Sequence, residues 1–255
     1  MSRQRWHGGR GPFRADQVRS GDPYELSQGH PIVCAPTGQD GAGPNSLGAA
    51  VLGSDPAVTR SGVDLGIALA PDTLRAPDVA VNFTLGEGTW ATGAPLVVEY
   101  AGSGQDEADL REKIEEFHAA GTPLVWVVRL LGVRRVEVHE KGKPVLVVGA
   151  DGTLTAPGVL ALPVPVRALY DRDAAHQTTL RNLLSREGYE SLDAVRKEAD
   201  VASRRAVLLM LLDAAGVALT DDDRARVARC DDGAALDGWI RRARTAASRA
   251  DVFEG

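Results

Sequence analysis

The run PLVVEY, from Pro95 to Tyr100, limits the fold more than any other stretch because it is almost continuously apolar. Such a run is typical of a strand that is covered on both faces. A charged helical pattern follows from about Gln105 to Ala120 and ends at Gly121 and Pro123. A second apolar run, Leu124–Leu130, comes directly after it. Strands that bracket a helix in this way predict an α/β fold with a mixed sheet.

Further strand patterns lie on both sides of this segment. Before it, PDVAVNF (Pro77–Phe83) alternates between two sets of residues, as expected for a strand. After it come RRVEVHE (Arg134–Glu140) and KPVLVVG (Lys143–Gly149), and Lys141-Gly142 between them is a hairpin signal. The glycine- and proline-rich stretch 149–165 predicts loops and edge structure.

The composition divides the chain into three parts. Residues 1–20 carry five arginines against one acid and are rich in glycine, so we expect a basic, disordered arm there. Residues 21–171 hold the strand patterns. After Tyr170 alanine, arginine, leucine and aspartate dominate and helical spacing takes over. We therefore expect a helical annex over residues 172–255, which would serve oligomerisation or contact with a partner.

Bulk properties exclude several classes of protein. No apolar stretch approaches the roughly 20 residues that span a bilayer, and the N-terminus lacks the apolar core of a signal peptide. The two cysteines, Cys34 and Cys230, match no metal-ligand spacing, which indicates a reduced, cytoplasmic setting. A formal net charge of −6 argues against a surface that coats nucleic acid without specificity, but it allows a local basic groove.

Glu99 ends the apolar run, where an ionised carboxylate is costly to bury without a partner. A divalent cation is a suitable partner, because Mg²⁺ binds oxygen ligands that usually include one or two carboxylates. Asp78, directly after Pro77 in a neighbouring strand pattern, offers the second carboxylate. We therefore predict that Asp78 and Glu99 share one cation.

The predicted helix brings a positive charge to the same region. At about 100° per residue, three apolar side chains form its buried stripe: Leu110, Ile114 and Phe117. Lys113 lies at one edge of this stripe, so its stem can cross the core and its ammonium can reach the end of the sheet. Three acids of the helix are expected to point into water: Glu112, Glu115 and Glu116.

Five segments of the chain carry a resemblance to a known family: RAPDVAV, LVVEY, DLREKIEEFHAAGTPLVWVV, RRVEVHE and LTAPGVLALPVPVRALYD. They resemble the Uma-type "putative restriction endonucleases" of the PD-(D/E)XK nuclease superfamily. The similarity runs from about Tyr24 to Asp171 and is densest in the middle third. It implies a restriction-endonuclease-like mixed sheet of four strands flanked by helices. It also implies cleavage of DNA with Mg²⁺ or Mn²⁺.

The resemblance implies roles for single residues. The family's aspartate after proline falls on Asp78, and its strand glutamate falls on Glu99. Uma-type proteins carry a lysine in the helix that follows, and this lysine matches Lys113. The resemblance thus implies Asp78 and Glu99 as metal ligands and all three residues as the catalytic set.

Three positions depart from the family pattern. The superfamily's usual lysine, two residues after the glutamate, is replaced by Ala101. Gly102 stands where the family often has serine, and Arg129 stands where many members have aspartate. These changes put phosphate contacts and loop geometry in question more than metal binding.

The assignments have structural alternatives. Arg75, directly before APD, is a ready partner for Asp78 or Glu99 in a plain ion pair. Lys113 can instead pair on the helix surface with Asp109, four residues earlier.

Two further residues are candidates for the site. Glu25, in the segment YELSQGH, is either a third acidic ligand or an ordinary acid before the turn at Gly29. Gln105 is either a hydrogen-bonding residue of the site or an exposed residue of the first helical turn.

The same segment can be compared with a second class of enzyme, the methyltransferases. A strand that ends in glutamate before GSG is similar to a methyltransferase glycine loop, whose glycines would fall on Ala101, Ser103 and Gln105. None of these is glycine, which excludes that class. The remaining alternative to a metal-dependent DNA endonuclease is an inactive nuclease-like fold that binds DNA or protein.

Overall fold

The structure, a computed structural model, describes residues 11–34, 38–103 and 106–254. The chain divides into two compact units between Arg186 and Glu187. The strands are β1 (Tyr24–Ser27), β2 (His30–Val33), β3 (Ser61–Val63), β4 (Ile67–Ala70), β5 (Thr73–Arg75), β6 (Val79–Val81), β7 (Leu96–Ala101), β8 (Leu124–Arg129), β9 (Arg135–Glu140), β10 (Leu146–Gly149), β11 (Thr153–Leu154) and β12 (Val164–Pro165). The helices are α1 (Gln39–Gly53), α2 (Glu107–Ala119), α3 (Arg172–Arg186), α4 (Leu192–Ala214), α5 (Asp221–Arg229), α6 (Gly233–Ala243) and α7 (Arg249–Phe253). No helix in these described ranges is long and apolar enough to cross a membrane.

The main sheet is mixed, which confirms the predicted α/β class. Its strand order within the described residues is β10-β9-β8-β7-β6-β3. Strands β7 and β8 are parallel and are connected through α2, whereas the other neighbours are antiparallel. Both parallel strands are almost entirely buried. Their continuous apolar sequence therefore reflects a central position in the sheet.

The main sheet separates two hydrophobic cores. On one face, residues of α1 and α3 pack with Val98 and Trp126 of the central strands. On the other face, α2 packs against Val97 and Val125. The side chains of α2 that enter this core are those of the predicted stripe, Leu110, Ile114 and Phe117.

A smaller sheet, with strand order β2-β1-β5-β4 within the described residues, lies outside the strand patterns found in the sequence. Strand β5 ends at Arg75 and β6 begins at Val79, so the link 76–78 passes from the small sheet to the main sheet. This link brings the two sheets together beside the end of β7.

Of the predicted basic arm, residues 1–20, the structure describes the part from Gly11 onward. Residues 1–10 lie outside the described residues. From Gly11 onward the chain is packed, with Ala15 and Val18 buried against side chains of β1 and β5. The burial of these apolar side chains against the small sheet stabilises residues 11–20 in a defined position.

The first unit ends later than the composition change indicated. Helix α3, which we expected to begin the annex, belongs to this unit. The buried Asn182 of α3 donates to Val51 O and Ser54 Oγ, both at 3.1 Å. Arg186 donates to four carbonyl oxygens at and after the end of α1, those of Gly53, Ser54, Asp55 and Val58. Polar side chains thus satisfy backbone groups that the end of α1 leaves without helical partners.

A truncation series tests this boundary. A chain that ends after Arg186 should keep the cooperative thermal unfolding of the first unit. A chain that ends after Tyr170 should unfold at a lower temperature or fail to fold, because the carbonyls at the end of α1 lose their donors. Circular dichroism melts measure both chains. In the full chain, Arg186→Ala should lower the Tm, since hydrogen bonds to a charged group contribute about 1.5–3 kcal/mol each. Equal stability of the two truncated chains would place α3 with the annex.

Candidate active site

The two predicted carboxylates lie on neighbouring strands. In the antiparallel register of β6 and β7, Val79 is opposite Val98. Asp78 and Glu99 occupy the next positions along these strands, so the register sets the two residues side by side. Glu99 is buried and Asp78 is half-buried.

Lys113 lies beside these carboxylates. Its ammonium donates to Glu99 Oε2 at 3.1 Å, to Glu25 Oε1 at 3.1 Å and to the backbone oxygen of Ala76 at 2.8 Å. The lysine is largely buried, in keeping with its place at the edge of the apolar stripe. Asp109, the alternative partner, is exposed.

Asp78 is held by one hydrogen bond on each carboxylate oxygen. Asn45 Nδ2 donates to Oδ1 at 3.1 Å, and the backbone N–H of Tyr100 donates to Oδ2 at 2.6 Å. Asn45 is a buried residue of α1 that the sequence analysis missed. The sequence of α1, QDGAGPNSLGAAVLG, is rich in glycine and contains Pro44, so it carries little helical signal.

Glu25 and Arg75 connect the small sheet to the site. Arg75 Nη1 donates to Glu25 Oε2 at 3.1 Å, and its Nε donates to Glu116. Arg75 therefore pairs with acids other than Asp78 and Glu99. Glu116, which we expected to point into water, is instead held by this buried arginine. The backbone N–H of Ala76 also donates to Glu25 Oε1, at 3.2 Å.

Two residues that the sequence analysis singled out do not add to this group. Gln105 lies outside the described residues. Arg129 forms ion pairs with Glu107 at the start of α2 and with Glu137 on β9. It thus connects the helix to the sheet through its own pair of acids.

Burial and the neighbouring charges control the protonation of the site. Burial raises the pKa of Glu99 to about 8, with Asp78 and Glu25 acting in the same direction and Lys113 opposing them. Burial also raises the pKa of Asp78, against the lowering effects of the Tyr100 N–H and of Lys113. For Lys113 burial alone would lower the pKa, but Glu99 and Glu25 raise it overall. Lys113 is therefore held as an ammonium at neutral pH.

The donor atoms fit a hard divalent cation. Within the described residues the buried Glu99 carboxylate is paired with the Lys113 ammonium, whose Nζ lies 3.0 Å from Oε1 and 3.1 Å from Oε2. A carboxylate offers about four lone-pair sites, so one ammonium leaves room on Glu99 for a metal ion. In the described ranges no cluster of three or more His, Cys, Asp or Glu side chains is arranged to hold a metal. Two carboxylates completed by water and phosphate oxygens suit Mg²⁺, which seldom occupies a site made of protein ligands alone.

Comparison with known protein families identifies the family of this chain. The model of the Uma2 family, described as "Putative restriction endonuclease", matches residues 13–166. The chain belongs to the Uma2 family. The matched range contains four residues of the candidate site, Glu25, Asp78, Glu99 and Lys113.

The fold also occurs in a solved structure. The crystal structure of "a putative nuclease belonging to DUF820 from Anabaena variabilis ATCC 29413" aligns with a TM-score of 0.54 and 16% identity. The alignment covers 64% of this chain and 99% of that chain. At this identity the likeness concerns the fold. No curated protein matches the Uma2 chain in a sequence search.

The raised pKa of Glu99 predicts a pH-dependent stability. Its pKa in the folded protein, about 8, lies above the ordinary value of 4.5. Folding therefore favours the protonated form of Glu99. The contribution of this group to the free energy of unfolding is fully present below its pKa in the unfolded chain, and it is lost as the pH rises through its pKa in the folded protein. Glu99→Gln should thus lose less stability than the parent between about pH 5 and about pH 9.

Urea unfolding of both proteins in a chelator measures this difference. Lys113 remains charged over this range in the folded and unfolded states, so it does not contribute to the comparison. Glu115→Gln, at an exposed acid of the same helix, is the control and should follow the parent. Parallel pH profiles for Glu99→Gln and the parent would show that Glu99 ionises as freely in the folded state as in the unfolded one.

Proposed function

We propose that this Uma2 protein is a metal-dependent DNA endonuclease of the PD-(D/E)XK type that hydrolyses phosphodiester bonds in the cytoplasm. One observation carries the proposal: two carboxylates, Asp78 and Glu99, lie side by side at the strand ends, and the buried ammonium of Lys113 is hydrogen-bonded to one of them. Family membership supports the nuclease class. The metal, its ligands and the role of each residue are part of the proposal.

Asp78 and Glu99 are the proposed ligands of Mg²⁺ or Mn²⁺. When bound, the cation polarises a phosphodiester oxygen as a Lewis acid. The protein's part is to fix the ligands beforehand. Asn45 and the Tyr100 N–H orient Asp78, while each of its oxygens keeps a lone pair for a cation.

Lys113 is proposed to stabilise negative charge on the scissile phosphate. A preorganised cation in a partly dry site acts most strongly where charge develops in the transition state. Because its pKa is raised, Lys113 stays protonated and is unsuited to act as a general base. Glu25 already accepts three hydrogen bonds, from Lys113, Arg75 and the Ala76 N–H, so we assign it to the positioning of Lys113.

Substitution of the three site residues separates metal binding from turnover. Asp78→Ala and Glu99→Ala should abolish both Mn²⁺ binding and plasmid cleavage, since each removes a ligand. Lys113→Met keeps the ligands and the apolar stem, so Mn²⁺ should still bind. Its turnover should fall by about 10²–10³, the scale for removing one preorganised stabiliser of transition-state charge. Isothermal titration calorimetry and a plasmid-nicking assay measure the two properties.

Matched variants control for charge and folding. Asp109→Ala and Lys141→Met remove exposed charges and should leave both properties unchanged. Lys113→Arg should not restore full turnover, because a planar guanidinium cannot replace a compact ammonium. Asn45→Ala should weaken Mn²⁺ binding by about 10–100-fold, the usual cost of losing a group that orients a ligand.

The same assays decide between the two functions. Binding of Mn²⁺ without nicking by the parent protein would favour an inactive nuclease-like fold that binds DNA or protein. Parental turnover in Lys113→Met would remove this lysine from the proposed catalytic set. Parental Mn²⁺ affinity in both Asp78→Ala and Glu99→Ala would overturn the metal site.

A further inference from the structure

The outer strand of the main sheet, β10, is apolar and exposed. Among the described residues it pairs with β9 alone, so its other edge presents free backbone N–H and C=O groups. Val145, Leu146 and Val147 are all exposed. Edge strands usually carry charges or a bulge that prevents pairing with a further strand. Residues 145–149, here termed the β10 edge, contain no charged residue.

An added strand at the β10 edge would extend a core that already exists. Leu146 and Val148 lie opposite Val138 and Val136 of β9. Val136, Val138 and Val148 belong to the hydrophobic core on the α1 face of the sheet. Leu146 stands outside this core, although its neighbours on the same face are part of it. A further apolar strand would therefore bury Leu146 beside them.

We propose that the β10 edge pairs antiparallel with the β10 edge of a second copy of this chain, with Val147 at the centre. The charges on either side of the strand favour this partner. Lys143 precedes Val147 by four positions and Asp151 follows it by four positions. Antiparallel pairing about Val147 therefore sets Lys143 of each copy opposite Asp151 of the other. Such a two-fold interface is closed and self-complementary.

Existing contacts of these two charges do not oppose the pairing. Lys143 pairs with Glu140 and Asp151 pairs with Arg167, each at 2.7 Å. All four side chains are exposed, and exposed ion pairs contribute only about 0–1 kcal/mol. Lys143 and Asp151 can therefore turn to a second copy at little cost. Pro144 has no N–H and limits the paired segment on that side.

The proposed interface differs from the one that the sequence analysis assigned to the C-terminal helices. It lies within the first unit and is independent of the proposed nuclease function. One paired strand with its flanking residues is a small interface, so we expect a reversible dimer with a micromolar Kd.

Lysine substitutions at three apolar side chains of similar exposure locate the interface in the full chain. Leu146 is 60% exposed, Leu85 in the first unit is 62% exposed and Met210 on α4 is 62% exposed. Sedimentation velocity from about 1 to about 200 µM should show a monomer–dimer equilibrium for the parent. Leu146→Lys should raise the Kd at least about tenfold, because it adds two charges to the paired edge. Leu85→Lys and Met210→Lys should sediment like the parent.

A charge exchange tests the partner and the register. Lys143→Asp should raise the Kd severalfold, because it sets aspartate against Asp151 of the other copy. The double variant Lys143→Asp with Asp151→Lys restores opposite charges and should return the Kd close to that of the parent. Amide hydrogen exchange offers a second measurement on the unmodified protein, in which residues 145–149 should gain protection as the concentration rises.

Several results would overturn the proposal. One is a parent chain that stays monomeric over the whole concentration range. Another is a dimer that Met210→Lys dissociates and Leu146→Lys does not, which would place the interface on the C-terminal helices. A dimer without added protection at residues 145–149, or a double charge variant as weak as Lys143→Asp, would contradict pairing of the β10 edge.

Discussion

The burial of the Glu99 carboxylate in the central strand β7 is the constraint on which the rest of the site depends. When Glu99 is ionised, its charge is balanced by a series of alternating charges that continues through Lys113, Glu25 and Arg75 to Glu116. This series joins the main sheet, α2 and the small sheet. Loss of one member of a buried ion pair leaves an uncompensated charge and typically costs about 3–5 kcal/mol. The same contacts therefore hold the site residues in place and hold the two sheets together.

The Glu99 carboxylate, a proposed metal ligand, has fewer hydrogen-bond donors around it than the Glu25 carboxylate. Glu25 accepts hydrogen bonds from Lys113, Arg75 and the Ala76 N–H. Among the described residues Glu99 is paired with the Lys113 ammonium alone, and its pKa is about 8. Groups with strongly shifted protonation tend to occur at functional sites, although structural ion pairs also shift them. The shifted pKa of Glu99 and the half-buried Asp78 beside it are consistent with the proposed functional site.

The parts of the fold that follow a local pattern could be predicted from the sequence. The β7–α2–β8 segment, the buried stripe of α2 and the β9–β10 hairpin are each set by spacing within a few residues. The contacts of Glu25 with Arg75 and Lys113 join residues that are 50 and 88 positions apart. Such pairs depend on how the two sheets pack and leave no local signal. Asn45 was missed for a related reason, since its glycine-rich helix is stabilised by packing more than by helix propensity.

The central claim is that Asp78 and Glu99 share one cation beside Lys113. Anomalous diffraction from crystals grown with Mn²⁺ tests it most directly. The account predicts one manganese peak at about 2.1 Å from an oxygen of each carboxylate, close to the ligand distance of Mg²⁺. The Lys113 ammonium should remain next to Glu99, and the peak should be absent from crystals of Glu99→Ala. A manganese ion bound elsewhere, or bound by only one of the two carboxylates, would contradict the account.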